Sequence, residues 1–170
     1  MFAIRDALPE DAAELSEIYG WYVENTAISF EYIAPAVDEF RTRIVKTLEK
    51  YPYLVLEEDG RVNGFAYAGP LKPRKAFDPS VEVSIYIRRE NRGNGAGKAL
   101  YEALEARLLA QGFVNMYACI AFADAEDEFL TNDSMHFHQR MGFRLAGKLT
   151  GCGRKFGRWY SVIWMEKRIG

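Results

Sequence analysis

The sequence carries few of the features that mark oxidising or membrane compartments. Only two of its 170 residues are cysteine, Cys119 and Cys152. They share neither a metal-type nor a redox-type spacing, so a reducing, cytoplasmic setting is expected. No apolar run reaches the roughly 18 residues of a membrane span. Met1-Phe2-Ala3-Ile4-Arg5-Asp6 has no basic stretch leading into an apolar one, and no signal peptide is expected. A dominant charge is also missing. Twenty-two Lys and Arg stand against 24 Asp and Glu, a net charge of −2, so nothing draws the whole chain to DNA, RNA or an anionic bilayer. Histidine is scarce, with only His136 and His138, and no metal site is expected.

What is present suits one folded domain spanning residues 1–170. Apolar residues make up 49% and charged residues 27%, and the length fits a single core. There is no repeat, low-complexity tract or linker. A short strand opens the chain at Phe2–Asp6. Ala12, Leu15, Ile18, Tyr19 and Tyr22 then recur at helical spacing, and Phe40, Ile44, Val45 and Leu48 do the same within Val37–Lys50. Strands are expected at Tyr53–Glu57 and Val62–Gly69, joined at Asp59-Gly60, and at Val81–Arg88. A helix over Ala96–Gln111 follows and is stopped by Gly112. Val114–Ala121 reads as a strand, Ser134–Met141 as a short helix, and Phe143–Leu149 and Trp159–Lys167 as strands around a turn-rich Gly151–Gly157. The acidic stretch Asp124–Glu128 reads as a solvated loop. The order β-α-α-β-β-β-α-β-α-β-β implies an α+β fold, its sheet mostly antiparallel with one strand–helix–strand unit in the middle.

The segment Arg92-Gly93-Asn94-Gly95-Ala96-Gly97-Lys98 lies between a strand and a helix. As a P-loop it fails, because Gly97-Lys98 is followed by Ala99 where a metal-binding hydroxyl is needed. As a dinucleotide fingerprint it also fails, since the third glycine position falls on Lys98 or Leu100. The pattern R-x-x-G-x-G/A fits. Glycines let backbone N–H groups approach an anion, the helix N-terminus faces the same place, and Arg92 and Lys98 add charge. A pyrophosphate held without a metal is the ligand this arrangement suits.

Several ordered segments resemble the GCN5-related N-acetyltransferase (GNAT) superfamily, and within it the phosphinothricin acetyltransferase-like branch. They are Ile4-Arg5-Asp6-Ala7, Asn25–Glu31, Val81–Ile87, Arg92–Lys98, Asn132–Phe143 and Gly153–Trp159. The resemblance covers nearly the whole chain. It implies acetyl-CoA as cosubstrate, no metal, a small-molecule amine as acceptor, direct transfer with both bound, and a homodimer. Strand Val81–Arg88 would splay from Val114–Ala121, with Ile85, Tyr86 and Ile87 lining the pantetheine arm and Asn132 hydrogen-bonding it or capping the following helix.

Transfer to an amine needs a base, a polarised carbonyl, a leaving thiolate and two substrates held together. Glu82 is the candidate base, on the strand flanking the thioester. His138 stands where an imidazole near the sulfur would donate to the thiolate. Phe30, Glu31, Lys72, Arg74, Lys155, Arg158 and Trp159 are the expected acceptor-binding set, since aromatics and cations suit an amino-acid-like molecule bearing a carboxylate or phosphinate. Two alternatives stay open at this level: a CoA-binding module without catalysis, and an enzyme acting on a protein or peptide amine.

Overall fold

The computed structural model describes residues 1–170. Alternating apolar runs form β1 (Ala3–Asp6), β2 (Tyr53–Glu58), β3 (Arg61–Pro70), β4 (Ser80–Ile87), β5 (Asn115–Phe122), β6 (Arg144–Lys155) and β7 (Arg158–Arg168). They make one sheet in the order β1-β2-β3-β4-β5-β7-β6. Every neighbouring pair is antiparallel except β4 and β5, which run parallel. The helices are α1 (Ala12–Asn25), α2 (Val37–Leu48), α3 (Ala96–Ala110) and α4 (Asp133–Arg140). The fold is α+β, as the element order implies. The β2–β3 turn has positive φ at both Asp59 (53°) and Gly60 (75°), the geometry of a tight right-twisting hairpin.

The sheet is covered on both faces, and this decides where β4 side chains go. Val81 and Val83 share a buried cluster with Leu100, Leu104 and Leu108 of α3. The opposite face packs Tyr53 and Phe65 against Leu15 and Ile18 of α1 and Phe40 and Ile44 of α2. Because strand side chains alternate, Glu82, Ser84 and Tyr86 point to the α1–α2 side.

One stretch differs from the sequence expectation. β6 runs on through Lys155, so most of the glycine-rich stretch is strand, and only Phe156-Gly157 turns. The register shifts between Leu145 and Gly147 and again between Leu149 and Gly153. Glycine there marks a bulge rather than a chain reversal, and the Gly151 N–H is held by Ser161 Oγ at 3.0 Å.

Candidate active site

β4 and β5 are paired only at Ser80–Asn115, Val81–Met116 and Glu82–Tyr117. Past Glu82 the two strands diverge, while β4 stays paired with β3 along its other edge to Ile87. The divergence opens a cleft of about 1470 Å³. One wall holds Ile85, Tyr86, Ile87, Arg92, Gly93, Gly95, Gly97 and Lys98, and α4 supplies Ser134, Phe137 and Arg140 to the other. The Ile87 carbonyl already accepts a hydrogen bond from the Tyr22 hydroxyl at 2.5 Å, so on this edge Ile85 is the less encumbered of the two expected backbone partners.

The glycine-rich loop has room for an anion. Gly95 sits at φ 88° at the head of α3, and a Cβ placed on Gly93 or Gly95 would meet nothing within 4 Å. The space beside the loop is therefore open cleft, faced by the N-terminus of a 15-residue helix. Asn94 and Ala96 shape the loop instead of lining the cleft: the Ala96 N–H donates to Asn94 Oδ1 at 3.1 Å. Arg89, Asn91, His136 and Arg140 also line the cleft, and sequence reasoning did not single them out. Arg89 and Asn91 stood next to the motif and could have been included. His136 and Arg140 reach the cleft only because α4 packs across from α3.

Where the strands part, a smaller cavity of about 60 Å³ is lined by residues from both faces of β4. Val83, Ile85, Tyr101 and His138 line it, as do Ser84, Tyr86 and Cys119. His138 is only 3% exposed. Its Nδ1 lies 2.7 Å from the Ser134 carbonyl and its Nε2 2.8 Å from the Tyr101 hydroxyl. A carbonyl can only accept, so Nδ1 carries the proton and Nε2 accepts from tyrosine. Burial pulls the imidazole down to about 4. The ring is thus neutral and both nitrogens are engaged, which leaves it no proton for a thiolate.

This burial has a consequence for stability. An unfolded histidine takes up its proton near 6.5, whereas folded His138 waits until about 4. As pH falls through that window the unfolded state alone gains protons, so stability is lost, by about 3 kcal/mol from this group. Chemical denaturation of the protein and of His138→Gln at about pH 7 and about pH 4.5 should show that portion of the slope vanish in the variant.

Asn132 does not behave as expected. Its amide closes two bonds to the end of β5, accepting from Ala123 N–H at 3.0 Å and donating to Ala123 O at 2.9 Å. It does not cap α4 through its side chain, and the two bonds hold its amide on Ala123 with one N–H to spare. Ser134, two residues on, lines both the cleft and the cavity.

On the α1–α2 side, Glu82 is half-buried, and burial raises its carboxyl above the ordinary value, with Lys72 opposing. Lys72 also lies 5.9 Å over the Trp164 ring. Lys72 and Arg74 are both exposed. Glu31 is engaged twice, by Tyr19 at 2.5 Å and Arg43 at 2.8 Å. Burial works against its charge, but these hydrogen bonds outweigh it and the carboxyl is lowered.

Two expected acceptor-binding cations have other partners. Lys155 is 4% exposed, and its ammonium donates to the Val23 carbonyl at 2.6 Å and the Ser29 carbonyl at 2.8 Å. It pins the β6–β7 hairpin to the C-terminal end of α1, where a cation also suits the helix dipole. Arg158 makes a two-bond pair with Glu128, both at 2.7 Å. The acidic stretch is thereby anchored rather than merely solvated. Asp127 reinforces it by accepting from the Phe129 and Leu130 N–H groups and from the Tyr160 hydroxyl. Trp159 stays 67% exposed, with the Arg154 guanidinium 5.6 Å from its ring.

Phe30 owes its position to the absence of a side chain opposite. A Cβ on Gly153 would fall 2.2 Å from Phe30 Cε2. Gly153→Ala should therefore push the ring aside, raising the acceptor KM about tenfold with acetyl-CoA affinity preserved. Steady-state kinetics with each substrate varied would measure it, and an unchanged acceptor KM would remove Phe30 from the pocket.

Residues 4–164 match the family model described as an acetyltransferase (GNAT) domain. The phosphinothricin N-acetyltransferase of Streptomyces viridochromogenes is 34% identical over 165 residues, covering 96% of this chain and 86% of that relative. The chain belongs to the GNAT family and is an N-acetyltransferase. The L-methionine sulfoximine/L-methionine sulfone acetyltransferase of Pseudomonas aeruginosa is also 34% identical, over 98% of this chain and 94% of its own. The solved structure of a GNAT phosphinothricin acetyltransferase from Sinorhizobium meliloti in complex with AcCoA superposes with a TM-score of 0.90, at 35% identity over 99% of this chain and 89% of that one. The splayed β4–β5 pair, the glycine loop and α3 are thus parts of a GNAT fold. No group of three or more His, Cys, Asp or Glu in this acetyltransferase is placed to hold a metal ion, and no helix is long and apolar enough to cross a membrane.

Proposed function

We propose that this acetyltransferase carries the acetyl group of acetyl-CoA directly to the amino group of a small amino-acid-like molecule, with both substrates bound. The observation that carries this reading is the parting of β4 from β5 beyond Glu82, with a cavity at that point lined from both faces of the sheet. The anion-cradling loop and the cleft lie on its α3–α4 side, and the Glu82 face lies on the other. Acetyl-CoA would enter by the first, its phosphates at Gly93–Gly97 and its arm along the unpaired β4 edge at Ile85. The acceptor amine would arrive by the second.

In this arrangement Glu82 takes the amine proton, directly or through water. A backbone N–H on β4 would meet the developing oxyanion. Lys72 and Arg74, exposed and without a carboxylate partner, are the cations left to hold the acceptor's carboxylate. Phe30 and Trp159 would flank its side chain. Arg158 and Lys155 frame this pocket through Glu128 and Ser29 instead of touching the acceptor. A small acceptor is further supported by the ties that close this side. The Tyr32 hydroxyl donates to the Arg154 carbonyl, and Phe30 sits on Gly153, so the α1–α2 loop and the β6–β7 hairpin are tied together, which suits a small acceptor better than an extended peptide.

The relatives that act on phosphinothricin and on methionine sulfoximine or sulfone indicate the panel to use. Thiol release from acetyl-CoA should appear with an amino acid or an oxidised or phosphinic analogue and be absent with peptide amines. Release with peptides alone would overturn the acceptor class. A homodimer and a cytoplasmic location belong to the same reading. The sheet-edge strand β6 exposes Leu145 (59%) and Leu149 (54%), an edge that pairing with a second copy would cover. Both cysteines are free, which suits a reducing compartment. Sedimentation at monomer mass throughout the working concentration range would remove the dimer.

A further inference from the structure

Tyr101 is a phenol where packing alone calls for a phenylalanine. It lies on α3, 1% exposed, its ring set against Phe137 and Phe143 at 5.5 and 5.9 Å between centroids. A hydroxyl buried in such a place costs free energy unless it is bonded, and within the chain its single bond is to His138 Nε2, at 2.8 Å. Both residues line the cavity between the diverging strands. They approach it from the α3–α4 side, the side of the glycine loop, whereas Glu82 belongs to the opposite face.

We propose that the Tyr101 hydroxyl is a catalytic hydrogen-bond donor that meets the departing thiolate, and that His138 is the positioning residue that holds this hydroxyl beforehand. The proposal rests on the acetyl-CoA reading above and adds to it a donor that the sequence had placed on His138. Since the amine attacks from the Glu82 face, the sulfur leaves toward the α3–α4 side. The new C–N bond forms, the C–S bond breaks with its electron pair kept by sulfur, and the amine proton goes to Glu82. No proton leaves Tyr101. Its O–H turns from Nε2, a neutral acceptor, to the sulfur, a charged and stronger one.

The tautomer explains why histidine alone cannot serve. With Nδ1–H fixed on the Ser134 carbonyl, Nε2 is bare and can only accept. Burial also drives the Tyr101 phenol far above its ordinary value, so it stays protonated throughout the working pH range and remains a donor.

Tyr101→Phe deletes the hydroxyl and keeps the ring. Its kcat is expected to fall on the order of a hundredfold, with the KM for acetyl-CoA nearly unchanged and the melting temperature lowered by only a few degrees for the donor lost at His138 Nε2. A purely structural tyrosine would be separated from a thiolate donor by comparing affinities for CoA and desulfo-CoA as pH is raised from about 8 to about 10, the range over which an alkyl thiol ionises. The wild-type protein should prefer CoA by about tenfold, and Tyr101→Phe should lose that preference. His138→Gln, which releases the hydroxyl rotor, should narrow it.

Full kcat in Tyr101→Phe, or an undiminished CoA preference, would overturn the proposal. So would a fall in affinity for both ligands alike. A wild-type protein that binds neither CoA nor desulfo-CoA would instead sink the acetyl-CoA reading itself. One that turns over acetyl-CoA yet binds both analogues equally would sink only the role of Tyr101.

Discussion

Glu82→Gln is expected to lower kcat about a thousandfold while acetyl-CoA binds as before, because the change removes a general base and nothing else. Glutamine keeps the length and shape of glutamate, and the backbone of residue 82 would stay paired with Gly69 on β3 and Tyr117 on β5. The glycine loop and the cleft lie on the other side of the sheet from this side chain, so cofactor affinity has no reason to change. The pH profile adds a second, independent measure. Burial raises the Glu82 carboxyl above 4.5, which means that the carboxylate form is lost at a higher pH than for an exposed glutamate. The acid limb of kcat/KM should accordingly lie at higher pH than an exposed glutamate would give. Lys72 acts in the opposite sense, so Lys72→Ala should move the limb higher still. If Glu82→Gln retains both turnover and the acid limb, Glu82 is not the base.

Gly95→Glu should reduce acetyl-CoA affinity by at least about a hundredfold, as measured by calorimetry. Two effects combine. At φ 88° any side chain is strained, by roughly 1–2 kcal/mol. The new carboxylate would also project into open cleft at the helix N-terminus, where it would occupy the anion site and repel a phosphate. Gly95→Ala separates the two, since a Cβ there meets nothing within 4 Å. It should bear the backbone strain without the charge and lose only about tenfold. Undiminished affinity in Gly95→Glu would show that the phosphates bind elsewhere.

The two substitutions probe opposite faces of the sheet, and the sequence was not equally informative about them. The loop at Arg92–Lys98 and the helix that follows it were readable because the features that suit a loop to an anion are local. It needs glycines at given spacings, a helix beginning immediately after, and flanking cations, all within a few consecutive residues. Three residues that bond at a distance were not readable in this way. Lys155 reaches the carbonyls of Val23 and Ser29, Asn132 returns to Ala123, and Arg158 closes on Glu128. Their residue types told what each can bond. Only the fold shows that the partner is the protein itself. His138 is the sharpest case: its place on the short helix was legible, whereas its state was not, because the tautomer depends on the Ser134 carbonyl and the Tyr101 hydroxyl.

By itself the sequence determined the element order, the α+β class, the glycine loop ahead of α3 and the family, since periodicity, turn chemistry and short-range spacing are properties of neighbouring residues. Tertiary structure alone decided where β4 parts from β5, which face of the sheet Glu82 occupies, and which polar groups are already paired. Strand divergence depends on how two separate strands are held by their other neighbours, β3 and β7. Pairing depends on residues as far apart in the chain as Val23 and Lys155. Neither is encoded in any local window, and together they decide which candidate side chains face the cleft between β4 and β5 and which are spent on the protein itself.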